Sequence, residues 1–186
     1  MRIIKFLSEY LKSPRTVGAV APSSQKLARK MVSDIDFYNA KCIVEYGPGT
    51  GVFTDKLIER KNQNTSLLLL EYSEEFCRQL KEKYKGHENI LIINDSAENV
   101  DIYLEKYNIK KVDYVVSGLP FASLPKSVSN NILGKTKSIL KKDGLFITFQ
   151  YTLLKREFIA EYFKKIDLER VVFNIPPAYV LKCQNS

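Results

Sequence analysis

The stretch Cys42-Ile43-Val44-Glu45-Tyr46-Gly47-Pro48-Gly49-Thr50-Gly51 decides the fold. An apolar, β-rich run enters a glycine-rich turn, and the amphipathic run Thr54–Lys61 follows. Strand, tight turn and helix in that order bring backbone N–H groups and a helix N-terminus to one point, where a ligand can approach without a Cβ in the way. The third glycine of the dinucleotide fingerprint would fall at Val52, so Gly-x-Gly-x-x-Gly is not met. No Gly-Lys-Ser/Thr follows either, which excludes a nucleotide triphosphate loop.

Outward from this turn the chain alternates. Strands are expected at Cys42–Tyr46, Ser66–Glu71, Ile90–Asn94, Tyr114–Ser117, Leu145–Tyr151, Glu169–Asn174 and Tyr179–Cys183. Helices are expected at Thr54–Lys61, Glu74–Tyr84, Ala97–Tyr107, Lys126–Lys141 and Arg156–Lys165. Strands separated by helices of this length predict a parallel sheet covered on both faces. Only Ile175-Pro176-Pro177-Ala178 separates the last two strands, too little for a helical crossover, so they are expected to pair antiparallel. Two amphipathic segments, Ile3–Leu11 and Ser24–Val32, precede the sheet.

Two acids lie where such a turn would use them. Glu71 ends the second strand, about 20 residues beyond the glycines, where a carboxylate accepts from both ribose hydroxyls. Asp95 follows the third strand and is placed to reach the exocyclic amine of an adenine. Either acid alone reads equally as a helix cap or a solvated turn. Glycines, acid and acid at three successive strand ends are far more specific.

This pattern resembles class I S-adenosylmethionine-dependent methyltransferases from Ile43 to Cys183. The resemblance implies an α/β fold with a Rossmann-like seven-stranded sheet, order 3-2-1-4-5-7-6, its last strand antiparallel and helices on both faces. It implies a single domain over 1–186, with N-terminal helices in 1–33 capping the site and the core in 41–186. The cofactor would be S-adenosyl-L-methionine, leaving S-adenosyl-L-homocysteine. Glu45, Gly47, Gly49, Thr50 and Gly51 resemble the family's first motif, Glu71 its ribose-binding acid with Tyr72 beside the adenine, and Asp95-Ser96-Ala97 its adenine turn. Methyl transfer is a displacement that needs alignment and exclusion of water, so neither a nucleophilic serine nor a metal is expected.

The acceptor should meet the methyl group at the end of the fourth strand, at Ser117-Gly118-Leu119-Pro120-Phe121. That stretch resembles the Asn-Leu-Pro-Tyr motif of ribosomal RNA adenine-N6 methyltransferases, with Gly118 where their asparagine receives the adenine amine. The segment Gly18-Ala19-Val20-Ala21-Pro22 resembles their glycine-initiated segment and makes Gly18 a cofactor candidate, but Ala19-Val20 replaces the expected Gln-Asn pair. The sequence is more similar to the bacterial phospholipid N-methyltransferases that methylate phosphatidylethanolamine. The resemblance rests on Arg15–Ser24, Ser117–Pro120, Phe149-Gln150-Tyr151 and Asn174–Ala178. An amine head group implies aromatic faces for the cation, with Phe121, Tyr151 and Tyr179 as candidates, and Arg15 or Arg170 against the phosphate. RNA adenine, a small soluble amine and a non-catalytic cofactor-binding protein stay open as alternatives.

Composition fits that frame. The 186 residues are 45% hydrophobic and 27% charged, as a single globular domain requires. The 29 basic against 21 acidic residues give +8, which suits an anionic membrane surface or, less well, nucleic acid. In the Ile3–Lys12 segment, Ile3, Phe6, Leu7, Tyr10 and Leu11 form one stripe flanked by Arg2, Lys5 and Lys12, a pattern that fits an interfacial helix or one packed on the domain. No run approaches the length of a membrane span, and the N-terminus lacks a signal-peptide core. A cytoplasmic protein, peripheral on the inner membrane face, is expected. Cys42, Cys77 and Cys183 are far apart and His87 is the lone histidine, so they read as packing and surface residues and no metal is expected.

Overall fold

The computed structural model describes residues 23–153, 155–172 and 177–185. The expected Ile3–Leu11 helix, Arg15, Gly18 and most of the Asn174–Ala178 block lie outside the described residues. Helix α1 is Ser23–Met31. Then follow β1 Cys42–Tyr46, α2 Val52–Arg60, β2 Ser66–Glu71, α3 Glu74–Lys83 and β3 Ile90–Asn94. After a 3-10 turn at Ala97–Asn99 come α4 Val100–Lys106, β4 Val112–Ser117, α5 Lys126–Ile139, β5 Leu140–Gln150, α6 Arg156–Ala160, β6 Lys165–Val171 and β7 Ala178–Gln184.

The strands form one sheet of order β3-β2-β1-β4-β5-β7-β6. β1 pairs parallel with β2 and β4, β2 with β3, and β4 with β5, while β7 runs antiparallel to both neighbours. Successive residues of a strand face opposite ways, and here both faces are apolar. Ile43, Leu67, Leu69, Val116, Ile147 and Val180 pack with Leu27, Met31 and Leu57 under α1, α2 and α3. Val44, Tyr46, Leu68, Val115, Phe146 and Leu181 pack with Val100, Ile132, Leu133 and Ile159 under α4, α5 and α6.

Four elements depart most from expectation. β5 begins at Leu140 because Leu140 pairs with Val112, after which a register shift carries the chain through Lys141–Gly144 before Leu145 resumes pairing. β6 begins at Lys165 and ends at Val171, since pairing of Lys165 with Gln184 and Val171 with Ala178 fixes it. It is an edge strand, and Lys165, Asp167 and Glu169 are the charges that discourage a further chain from adding to that edge. The helix expected over Arg156–Lys165 stops at Ala160, and Phe163 turns inward to stack on Phe146, centroids 5.4 Å apart. The single helix expected at Ala97–Tyr107 is divided into the 3-10 turn and α4.

Two of the lysines on and after α5 are paired, Lys135 with Asp101 at 2.6 Å and Lys141 with Asp113. The helix buries Val128, Ile132, Leu133, Thr136 and Ile139 against the sheet, so it is a sheet-covering helix. α1 is held to the edge hairpin by Lys30–Glu169 at 2.5 Å and by Lys182, which reaches both Asp34 and Glu169. Among the described residues no helix is long and apolar enough to cross a membrane.

Candidate active site

The C-terminal ends of β1, β2 and β4 converge. Gly47 N donates to Leu70 O and Gly118 N to Tyr46 O, both at 2.9 Å, so the turns after β1 and β4 continue the ladder and touch. The glycine turn is closed by Gly51 N donating to Pro48 O at 2.9 Å, and Asp55 N donates to Gly51 O at 2.8 Å to begin α2.

Glu71 ties the turn to the next strand end. Its Oε2 accepts from Gly49 N at 2.9 Å and its Oε1 from Ser73 N at 2.8 Å. Burial raises its pKa despite these backbone donors. Ser73 caps α3 by accepting from Phe76 N, and Asn94 Nδ2 donates to the carbonyls of Glu71 and Tyr72. Tyr72, just past the end of β2, is exposed. Asp95 accepts from Ser96 N at 2.7 Å, Asn99 Nδ2 at 3.0 Å and Tyr103 Oη at 2.7 Å. Desolvation pushes Asp95 up, but these hydrogen bonds outweigh it and hold the carboxyl below its ordinary value. With three acceptor positions used, about one of the roughly four lone-pair sites of a carboxylate is left for a ligand. Ala97 is buried at the start of the 3-10 turn.

Glu45 is fully buried under the turn. Its Oε2 accepts from Thr54 Oγ1 at 2.7 Å, whereas Oε1 has no partner among the described residues. Desolvation, reinforced by Glu71 and Asp55, pushes its pKa up to about 8 from 4.5. A carboxyl whose folded pKa is raised holds its proton in the native state while the unfolded chain releases it, so stability falls as pH climbs from about 4.5 to about 8. Glu45→Gln keeps an oxygen for Thr54 and removes the titration. The variant is expected to match the parent near pH 5 and to melt higher near pH 8 without ligand. The same difference in melting temperature at pH 5 and at pH 8 would refute this.

On the acceptor side the structure corrects two expectations. Phe121 is fully buried, edge-on to Phe146 at 6.0 Å in the core, because the turn after β4 folds it inward; it offers no face to a head group. Ser117 is buried too, its hydroxyl accepting from Leu119 N at 3.2 Å, and so braces the turn. Leu119 abuts the glycine turn, since a Cβ on Gly47 would come 2.8 Å from Leu119 Cδ2. Pro120 O accepts from Ser123 N at 2.8 Å and Leu124 N at 3.1 Å. Tyr151 closes an aromatic row that the sequence did not disclose: Phe53 on α2, Phe149 on β5 and Tyr151, in edge-to-face steps of 5.7 and 5.4 Å. The row begins beside Gly118, whose Cβ would sit 3.7 Å from Phe53 Cε2. Tyr179 instead lies under Arg170, 6.0 Å from centroid to guanidinium.

Another brace has no linear signal. Tyr84 Oη donates to Asp55 Oδ1 at 2.8 Å and lies 3.1 Å from Gly51 O, and Lys83 pairs with Asp55 at 2.8 Å. The three free cysteines are buried, and burial pushes Cys42 up to about 12, so it carries no thiolate chemistry near neutral pH. Among the described residues no three His, Cys, Asp or Glu side chains form a group able to hold a metal ion.

The model of the ribosomal RNA adenine dimethylase family matches residues 19–166. The chain belongs to that family. An ornithine lipid N-methyltransferase of Singulisphaera acidiphila is 30% identical over 181 residues, covering 96% of this chain and 94% of that one. A ribosomal RNA small subunit methyltransferase A of a Hydrogenobaculum species is 28% identical over 131 residues, 70% of this chain and 48% of that one. The chain thus spans about half the length of that ribosomal RNA enzyme. Solved structures share the fold: an rRNA methylase from Streptococcus thermophilus (16% identity, 89% and 98% of the two chains, TM-score 0.63) and a SAM-dependent methyltransferase from Aquifex aeolicus (13%, 95% and 98%, 0.67). This family member is an S-adenosylmethionine-dependent methyltransferase of the Rossmann-like class. The orphaned Glu45 Oε1 and the open space at Gly49, where a Cβ would meet nothing within 4 Å, fit that cofactor's ammonium and its close backbone approach.

Proposed function

We propose that this enzyme methylates the primary amine of a membrane-lipid head group, on phosphatidylethanolamine or on an ornithine lipid. Gly118 carries the reading. A Cβ there would stand 2.8 Å from Gly47 O, so the turn has no room for the asparagine that receives an adenine amine unless the glycine loop moves. The ornithine lipid methyltransferase aligns over nearly its whole length, which supports the same acceptor class. The family model supports the RNA alternative, and a parallel assay separates them.

In this reading Glu45, Gly47, Gly49, Thr50 and Gly51 cradle the methionine portion, Glu71 takes the ribose hydroxyls, and Tyr72 and Asp95-Ser96-Ala97 hold the adenine, with Gly18 as a further contact. The bound cofactor supplies a methyl carbon made electrophilic by a sulfonium leaving group. Transfer of that methyl to the amine nitrogen would return the C–S electron pair to sulfur and release the amine proton to water. The aromatic row Phe53–Phe149–Tyr151 excludes water and faces the cationic product. An anionic membrane surface would draw in the +8 chain.

The test is labelled-methyl transfer offered to phosphatidylethanolamine vesicles, ornithine-lipid vesicles and small ribosomal subunits side by side. Label in either lipid supports the proposal, and label only in RNA sinks it. Gly118→Asn is expected to destabilise the protein by about 1–3 kcal/mol through overpacking, read by denaturant unfolding, and to gain no transfer to RNA.

A further inference from the structure

At the same end of the sheet, three further side chains, Gln150, Tyr179 and Arg170, share one face. Thr148 of β5 is level with Ser117 of β4, and Gln150 lies two residues further towards the site. Gln150 pairs with Tyr179 on β7, and Tyr179 pairs with Arg170 on β6. Cross-strand partners share a face, so Gln150, Tyr179 and Arg170 form a lateral row. The row runs outward from the strand end that carries Phe149 and Tyr151 on its other face.

The chemistry of the row is one-sided. Gln150 is 4% exposed and its Nε2 has no hydrogen-bond acceptor among the described residues. A buried amide N–H without an acceptor is costly, and natural structures retain few of them. Arg170 spreads its guanidinium over Tyr179 and has no carboxylate in ion-pair range among the described residues. By contrast Lys182, on the opposite face of the hairpin, is neutralised by Asp34 and Glu169. Among the described residues the row therefore offers an amide donor, a phenol and an exposed cation, and no carboxylate. A planar guanidinium is suited to carboxylate or phosphate oxygens.

We infer that Gln150, Tyr179 and Arg170 form a subsite for the oxyanion next to the reacting amine of the acceptor, the phosphate of an ethanolamine phospholipid or the carboxylate of an ornithine head group. The inference deepens the lipid reading and rests on it for the identity of the acceptor. The subsite selects aminolipids that carry an acidic group over simple long-chain amines. Arg170 and Gln150 are positioning residues: they hold the head group while the aromatic row on the other face receives the amine.

Two measurements test it. In uncharged phosphatidylcholine vesicles, Arg170→Gln is expected to raise KM for phosphatidylethanolamine or ornithine lipid by about tenfold or more, the worth of one charged hydrogen bond, with kcat nearly kept. Arg170→Lys should recover part of the loss. KM for sphingosine, an amine with no phosphate or carboxylate, should not change. Independently, O-phosphoethanolamine or ornithine should shift the side-chain amide resonances of Gln150 in the parent and not in Arg170→Gln. Equal KM values for parent and variant, an equal rise with sphingosine, or still Gln150 resonances would each overturn the subsite. Absence of transfer to every lipid with the Gln150 shift intact would overturn the lipid reading and leave the oxyanion subsite standing.

Discussion

Glu71→Ala is expected to weaken S-adenosylmethionine binding by at least about hundredfold, because two lost hydrogen bonds to a carboxylate at about 1.5–3 kcal/mol each reach that factor. The carboxylate does two things at once. It holds Gly49 N and Ser73 N, and so fixes the glycine turn against the end of β2. In the proposed reading it also accepts from the ribose hydroxyls. Alanine leaves two backbone N–H groups without their acceptor in a buried place, which costs about 1–3 kcal/mol apiece in the ligand-free fold. The two effects separate with Glu71→Gln. One amide oxygen can keep Gly49 or Ser73, so unfolding should move less than in the alanine variant, while the loss of charge and of the second acceptor keeps cofactor affinity low. Calorimetric titration with the cofactor, alongside denaturant unfolding, gives both numbers. Affinity within threefold of the parent in Glu71→Ala would remove Glu71 from the cofactor site.

How far the sequence revealed this arrangement follows from what is local and what is not. The Cys42–Tyr46 strand, the glycine turn and the acid at the end of β2 are adjacent in sequence or tied to strand ends, so spacing alone exposes them. Alternation alone exposes a parallel sheet ending in an antiparallel hairpin, while the seven-stranded order follows from the family resemblance. β6 escapes because its bounds are fixed by pairing with β7. The β-branched pair Val171-Val172 draws an expectation too far along, while the charged Lys165-Ile166-Asp167 looks unlike a strand unless its edge position is known. Phe121 escapes because a motif aromatic next to a strand end reads as a substrate wall, whereas the turn spends it on the core beside Phe146. The Phe53–Phe149–Tyr151 row joins a helix to a strand nearly a hundred residues away, and no period in either reports the meeting. Tyr84 is similar: it is the residue after α3, and only the fold sets it on Gly51.

That brace makes the three glycines of the turn unequal, and the second large effect follows from it. Gly49 and Gly51 both have positive φ, +56° and +85°, a region that costs an L side chain roughly 1–2 kcal/mol. Their surroundings differ. A Cβ on Gly51 would fall 2.2 Å from Tyr84 Oη and 3.2 Å from Leu80 Cδ2, while one on Gly49 meets nothing within 4 Å. Tyr84 cannot withdraw cheaply, since its hydroxyl is bound to Asp55 and its ring is buried. Gly51→Ala is therefore expected to lose about 3–5 kcal/mol, the range in which overpacking and backbone strain combine, and to lose cofactor binding with the fold. Gly49→Ala should cost about 1–2 kcal/mol, the backbone term alone. Its added methyl would occupy the space that the cofactor needs, so affinity should fall by at least about tenfold in a protein that still folds. Urea unfolding and cofactor titration on both variants distinguish the positions. The double variant Gly51→Ala with Tyr84→Phe should be more stable than the two single costs added together, since it removes the hydroxyl that a Cβ at Gly51 would meet and keeps the buried ring. If the second substitution simply adds its own cost, Tyr84 is not what forbids a side chain at Gly51. If Gly49→Ala binds as the parent does, the open side of the turn is not where the cofactor lies.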